Sequence, residues 1–438
     1  MAAAHPDVAM RHVLVERMQD ARARSDELFR IVREDFLYER PIPERHRIVF
    51  YIGHLEAFDW NLLRERLLGV KTLEPELDKL FAFGIDPVGG GLPTDQPSDW
   101  PSLSTVHKYA AHIREALDSR LPDILANGES SVTQLMNVAI EHRLMHAETL
   151  AYMLHQLPVE QKIFQPSRPA LSATPIEPKM IEIEPGAATL GIAREDGVFG
   201  WDNEFEKNTV LVPGFAIDQY KVTNGQYLDF VNAGGYEKRE LWAETDWAWK
   251  TREGISHPVF WKRDGNGWKY LTMFREIALP LDWPVYVSQA EASAYARWAG
   301  KSLPTEAQWH RAAYGTSQGE ERPYPWGSEA PNPKLENFDF QSWDPAPVNA
   351  SPKGQSAFGV ADLVGNGWEW TSSVFAAFPG FQPFSFYPGY SANFFDGQHY
   401  VMKGGSARTA ACMLRRSFRN WFQPHYQYVY AGFRCVSN

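Results

Sequence analysis

The stretch Glu141-His142-Arg143-Leu144-Met145-His146-Ala147-Glu148 sets two imidazoles four residues apart. On a helix of 3.6 residues per turn that spacing stacks both on one face, where they can share a metal ion. The helical period puts Leu135, Val138, Ala139, His142, Met145, His146, Thr149 and Met153 on one face, so both histidines are expected to point inward. One buried histidine is commonly a satisfied core residue, but a pair on the same inward face favours a metal. His54 shares a stripe with Phe50, Tyr51 and Phe58 in another helical stretch and offers a third imidazole. Three converging imidazoles form a site with open positions. Imidazole suits Zn, Cu, Fe and Ni, and residue types do not choose among them. Glu148, two residues past His146, is expected to support the site rather than to bind the metal.

These residues must be carried by helices. Residues 8–34, 43–68, 101–119 and 130–157 have helical periodicity, with a start after Trp100-Pro101 and a stop at Leu157-Pro158. Four long helices joined by one extended loop, 82–100, read as a four-helix bundle. That loop is rich in Gly and Pro, and long loops in compact domains are often functional. Residues 158–180 hold five prolines and little periodicity. We place a linker at 161–180, between a helical domain, 1–160, and a second domain, 181–438. The second domain has short strand-like runs at 180–192 and 209–223, one clear helix at 288–300, and much irregular chain rich in Trp, Gly and Asn. The fold class is thus α plus α+β.

The chain has 438 residues, 44% hydrophobic and 22% charged, which describes a globular protein of two or three domains. Its net charge of -11 and lack of a Lys/Arg run argue against a nucleic-acid partner. Cys412 and Cys435 are the two cysteines, which argues against a disulfide scaffold and for free thiols. No signal-peptide core and no membrane-span candidate is seen, so no membrane partner and a cytoplasmic location are expected.

Longer motifs then carry a resemblance. His142-x₃-His146-x-Glu148 with an upstream bundle histidine resembles the DinB-like domain of the ergothioneine-biosynthesis sulfoxide synthases. Val222-Thr223-Asn224, the run from Arg297 to Trp309, Gly365-Asn366-Gly367-Trp368-Glu369-Trp370-Thr371, Lys403-Gly404-Gly405-Ser406 and Gly432-Phe433-Arg434 resemble the formylglycine-generating-enzyme fold, which is C-type-lectin-like. The resemblance implies Fe(II) on His54, His142 and His146, O₂ as oxidant and hercynine, the trimethylammonium betaine of histidine, as acceptor of a chalcogen. It also points to Arg419-Asn420-Trp421 as substrate-facing. An indole suits a quaternary ammonium through cation–π attraction, and the Asn amide can hydrogen-bond a polar group.

The sequence also departs from that pattern. Family members that use γ-glutamylcysteine are expected to hold it with paired arginines in the long loop and an Asp and an Arg after the Asn-Trp pair. Here the loop has no arginine, and those positions are Phe422 and Tyr426. Losing these charge-assisted hydrogen bonds would cost about 1.5–3 kcal/mol each. A neutral, hydroxyl-rich donor is therefore expected, with Asp86, Asp95, Gln96 and Trp100 as pocket candidates. Tyr38 to Arg47 and Phe83 to Pro87 resemble the selenoneine synthase subgroup, whose donor is a selenosugar. Met145 stands where some relatives have a hercynine-contacting Gln. The resemblance also implies a tyrosine near the iron, for which Tyr387 and Tyr390 are the candidates.

Three other readings compete, and structural expectations accompany them. The donor could be a thiol, as in ergothioneine synthesis, or the chain could be a zinc-dependent thiol transferase. A formylglycine-type peptide oxidase would use a cysteine pair, but Cys412 and Cys435 lie far apart in sequence. Asp362 and Asn366 lie in a loop that could hold a structural Ca(II) through oxygen ligands. Trp368 to Trp370 are expected to pack the second domain, and Arg434 to pair with a buried carboxylate.

Overall fold

A computed structural model describes residues 6–82, 92–126, 130–166 and 177–437, and the chain divides into two compact units, 1–165 and 166–438. Among the described residues of the first unit, four long helices dominate: α1 (Pro6–Arg30), α2 (Ile48–Leu63), α4 (Leu103–Asp118) and α6 (Ser130–His155), with short α3 (Pro75–Leu80) and α5 (Leu121–Ala126) between them. Helix α1 packs along α6, and α2 packs along both α4 and α6.

Helix α2 begins at Ile48, five residues later than its periodicity suggests. Pro41 and Pro43 disfavour a continuous helix there. The first N–H groups of α2 are instead satisfied from outside: Ile48 N donates to Glu39 O at 3.1 Å and Val49 N to Leu37 O at 2.8 Å. Helix α4 is capped by Ser102, whose hydroxyl accepts from Thr105 N. Residues 161–163, placed in the linker by the sequence, instead fold back on the helices, with Ile163 N donating to Ile31 O at 2.7 Å. Lys162 is buried and its ammonium donates to Leu154 O and His155 O, satisfying the end of α6.

The second unit is α+β. One sheet orders β1 (Met180–Ile183), β4 (Phe215–Asp218) and β12 (Val436–Ser437). Another orders β10 (Asn420–Phe422), β9 (Tyr400–Lys403), β8 (Trp368–Val374) and β11 (Ala431–Gly432). Strands β2 (Gly186–Leu190) and β3 (Asn208–Val212) pair antiparallel, as do β5 (Trp261–Asp264), β6 (Gly267–Leu271) and β7 (Glu276–Ala278). Helices α7 (Asn224–Asn232), α9 (Gln289–Trp298) and α10 (Glu306–Tyr314) all open on capping boxes, Thr223 with Gln226, Ser288 with Glu291 and Thr305 with Gln308. Helix α8 (Glu244–Arg252) lies between α7 and β5 in sequence. A core of Ile183, Phe215, Ile217, Trp309, Leu363, Val364 and Val436 joins the first sheet to α10. No helix among the described residues is long and apolar enough to cross a membrane.

Candidate metal centre and substrate-facing segment

Helices α2 and α6 bring His54, His142 and His146 together. All three are buried, and their ligating atoms lie within 4.8 Å of one another. The two α6 rings place Nε2 atoms 3.2 Å apart, and the His54 ring centre lies 5.0 Å from that of His146 and 5.5 Å from that of His142. His54 Nδ1 lies 2.7 Å from Phe81 O. A carbonyl only accepts, so Nδ1 carries the proton and Nε2 keeps its lone pair. Gly53 makes this approach feasible, since a Cβ there would lie 2.5 Å from the Phe81 ring.

Each ring also has a buried nitrogen without a hydrogen-bond partner: His54 Nε2, His142 Nδ1 and His146 Nδ1. Burial lowers the pKa of His54 to about 4 and those of His142 and His146 well below the usual imidazole value. Neutral imidazoles with unsatisfied nitrogens are the protonation state that metal binding requires, so the donor set fits a metal ion. Phe50 stacks on His54 at 4.8 Å, Phe58 stacks on His142, and Tyr51 lies 5.7 Å from His146, which gives the centre an aromatic wall.

The inward-face expectation for α6 is met for the histidines but not for the whole face. The helix is buried nearly all round, and Met145 and Thr149, expected inside, are the half-exposed positions of its central turns. Glu148 is buried. Periodicity also missed Arg143, which is fully buried between the two histidines. Its guanidinium donates to Glu56 at 2.9 and 3.0 Å, to Asp59 at 2.6 Å and to Leu55 O at 3.0 Å. Burial works to raise the pKa of Glu56, but Arg143 and Arg114 outweigh it and hold it at about 2. Burial dominates for Asp59 and raises its pKa despite Arg143. A basic residue inside an apolar run, with two acids in a facing run, was the available signal.

Of the described donor-pocket candidates, Asp95 and Trp100 meet and Gln96 is exposed. Asp86 lies outside the described residues, as does the whole Phe83–Pro87 motif. Asp95 is clasped by Arg40 and Arg47 and accepts from Trp100 Nε1 at 2.8 Å. Gln96 is exposed, and its backbone N–H is capped by Asp99. The loop lacks arginines of its own, but the 38–47 segment supplies two, Arg40 and Arg47, that pair with Asp95.

In the second unit, Trp421 lies in an aromatic cluster. Its ring stacks on Phe375 at 4.2 Å, meets Tyr390 edge-on at 5.5 Å and lies 5.6 Å from Phe394. Tyr390 stacks on Trp201 at 4.0 Å and lies 5.5 Å from Tyr387, so both tyrosine candidates belong to this cluster. Phe422 and Tyr426 stack at 5.0 Å with an interplanar angle of 9°. Asn420, Trp421, Phe422 and Tyr426 are all half-buried. Arg419, by contrast, is buried and paired with Glu306 at 3.0 Å, so it anchors the strand rather than facing a ligand.

Arg434 pairs with buried Glu369 at 2.6 Å, and Trp370 is buried with its indole N–H on Val287 O, both as expected. Both cysteines are free thiols. The calcium expectation is corrected. Asn366 Oδ1 accepts from Ala346 N at 2.7 Å, and the Lys221 ammonium occupies the space among the loop oxygens, contacting Asp362 O, Gly365 O at 3.2 Å and Glu369 Oε1 at 3.3 Å. With the Lys221 ammonium among them, these oxygens leave no place for a calcium ion.

Comparisons with known proteins follow the same division. The model of the DinB superfamily matches residues 17–150, and that of the sulfatase-modifying factor enzyme 1-like domain matches residues 167–438. "Hercynine oxygenase" of Mycobacterium tuberculosis is 37% identical over 346 residues, covering 76% of this chain and 78% of that protein. "Hercynine oxygenase" of Mycolicibacterium thermoresistibile is 35% identical over 381 residues, covering 83% of this chain and 80% of that protein. "Ergothioneine biosynthesis protein 1" of Neurospora crassa is 27% identical over 488 residues, covering 92% of this chain and 55% of that protein.

Proposed function

Starting from a chain that belongs to the hercynine oxygenase family, a helical DinB unit followed by a sulfatase-modifying-factor-type α+β unit, we propose that it is an iron(II)- and O₂-dependent oxidoreductase. It joins a chalcogen to the imidazole ring of hercynine, and its preferred donor is a selenosugar. The observation that carries this reading is the buried cluster of three neutral imidazoles, each with an unsatisfied nitrogen. His54, His142 and His146 hold the metal. Iron bound there supplies the one-electron chemistry through which O₂ can react with closed-shell substrates. In the net reaction the imidazole C–H and the donor chalcogen–H bonds break and a carbon–chalcogen bond forms. Dioxygen takes up four electrons and ends as one chalcogen-bound oxygen and one water.

The chain's own residues bind and orient. Trp421 offers an indole to the trimethylammonium, with Asn420 beside it for a polar group. Tyr387 and Tyr390 are the candidates for a hydrogen donor near the reacting atoms. Met145 is proposed as a hercynine contact in place of an amide. Phe422 and Tyr426 form a neutral stacked pair, and such a surface favours an uncharged, hydroxylated donor over a dianion. Asp86, which lies outside the described residues, is proposed as a substrate contact on sequence grounds alone. The second reading, a thiol donor and ergothioneine synthesis, is supported by the name of the Neurospora crassa relative.

Turnover with iron(II), O₂ and hercynine tests both readings. The selenosugar is expected to give product faster than γ-glutamylcysteine or cysteine, and the reverse order would replace selenium by sulfur. Metal analysis and an anaerobic assay separate both from a zinc-dependent thiol transferase, which would turn over without O₂.

A further inference from the structure

Lys221 lies between β4 and α7 with a side chain that is completely buried. An unpaired ammonium in such a place would be prohibitively costly, and here it is surrounded by oxygens. Its Nζ donates to Asp362 O and to Gly365 O at 3.2 Å, and lies 3.4 Å from Asp362 Oδ2 and 3.3 Å from Glu369 Oε1. Two main-chain carbonyls and two carboxylates around one point are the ligand types a hard cation selects.

The charges also balance around this nitrogen. Arg434 pairs with Glu369 and donates to Asp362 O at 3.3 Å, so two cations face two carboxylates. A third buried carboxyl, Glu336, has an Oε1 without a hydrogen-bond partner. Burial, reinforced by the Asp362 charge, pushes its pKa well up.

We infer that the loop 362–369 is a cation site whose cation is supplied by the chain itself: the Lys221 ammonium takes the place of a bound calcium ion and makes this unit independent of one. Removing the ammonium leaves Asp362, Gly365 and Glu369 converging on an uncompensated space. A divalent cation entering it would restore the charge. Magnesium, which demands near-ideal octahedral geometry, is the poorer match.

The test measures thermal unfolding and calorimetric calcium binding for the full-length chain and for Lys221→Ala. The native chain should bind no calcium in this unit, and millimolar calcium should leave its Tm within about 1 °C. K221A should unfold at lower temperature, bind calcium, and recover about 5–10 °C in calcium roughly a hundredfold above its dissociation constant, and less in magnesium. Asp362→Asn in the K221A background should remove the response. Lys221→Met, which fills the space without charge, should be destabilised and unresponsive. If K221A needs help to fold, its refolding yield should rise with calcium. A K221A that ignores calcium in both stability and refolding overturns the inference, as does a native chain stabilised by calcium to the same extent.

Discussion

His54, His142 and His146 differ in how much of their orientation is fixed by neighbours. His54 donates Nδ1–H to Phe81 O, so its tautomer is set before any metal arrives. Among the described residues, His142 and His146 have only each other's Nε2 atoms at hydrogen-bond distance, 3.2 Å apart. A cation between the rings would relieve this, because each nitrogen could then present its lone pair. Replacing any of the three by Ala removes one ligand. We expect iron(II) affinity, measured by calorimetry under anaerobic conditions, to fall at least about 100-fold for each, taking the tenfold-to-hundredfold loss typical of supporting residues as a floor. Retained affinity in His142→Ala or His146→Ala would overturn the assignment. Loss of the unsatisfied nitrogens should leave apo stability within roughly 2 kcal/mol, since an unpaired buried polar group is itself unfavourable.

At the scale of elements, the α2–α6 pair is fastened beside its histidines. Arg143 reaches Leu55 O, Glu56 and Asp59 of α2, and Arg114 ties Glu56 to Asp26 at 2.7 Å on α1. Breaking a buried pair by removing one partner costs about 3–5 kcal/mol because the remaining charges stay buried. Arg143→Met should therefore lose about that much in urea unfolding, and Arg143→Met with Glu56→Gln and Asp59→Asn should lose less. Glu321 performs a similar joining role in the second unit. It accepts from Thr189 N at 2.7 Å, pairs with Arg416 at 2.8 Å and faces His310 of α10. Burial works to raise its pKa, but His310, the Thr189 N–H and Arg416 outweigh it and hold it at about 2. A depressed carboxylate stabilises the fold above the unfolded pKa and loses that contribution as pH falls toward the folded value. Glu321→Gln should thus cost about 2 kcal/mol near pH 7, with the difference from the native chain shrinking between roughly pH 4.5 and pH 2. An equal difference at both ends would place the contribution outside ionisation. Local patterns made some of this readable from residues alone: the histidine pair is an i, i+4 signal, and three helix starts carry S/T-x-x-E/Q boxes. Arg143 was not readable in the same way, because its partners lie 84 to 88 residues away in sequence. Periodicity also misassigned Met145 and Thr149, since a helix buried on most sides has no clean polar face to set the phase.

Across the whole molecule, the residues proposed to hold the metal and those proposed to select the donor belong to different units. The imidazoles belong to the helical unit, 1–165, and the Asn420–Tyr426 segment to the α+β unit, 166–438. The family supplies the chemistry, so donor choice is expected to follow the second set. In this chain that set pairs Phe422 with Tyr426 as stacked neutral rings, where thiol-using members are expected to carry an Asp and an Arg. Each charge-assisted hydrogen bond to an ionised donor is worth about 1.5–3 kcal/mol, or roughly 10- to 100-fold in selectivity. The double variant Phe422→Asp with Tyr426→Arg should therefore shift the ratio of kcat/KM for γ-glutamylcysteine over the selenosugar by at least about tenfold toward the charged donor. Because neither residue is a metal ligand, iron(II) affinity should stay at the native value. Measuring both quantities separates the possible failures. An unchanged donor ratio with native iron affinity would move donor selection away from this segment. A lost iron affinity would mean that the segment supports the metal centre. The single variants give the sharper reading: if the introduced carboxylate and guanidinium pair with each other as well as with the donor, the double variant should exceed the sum of the two single effects.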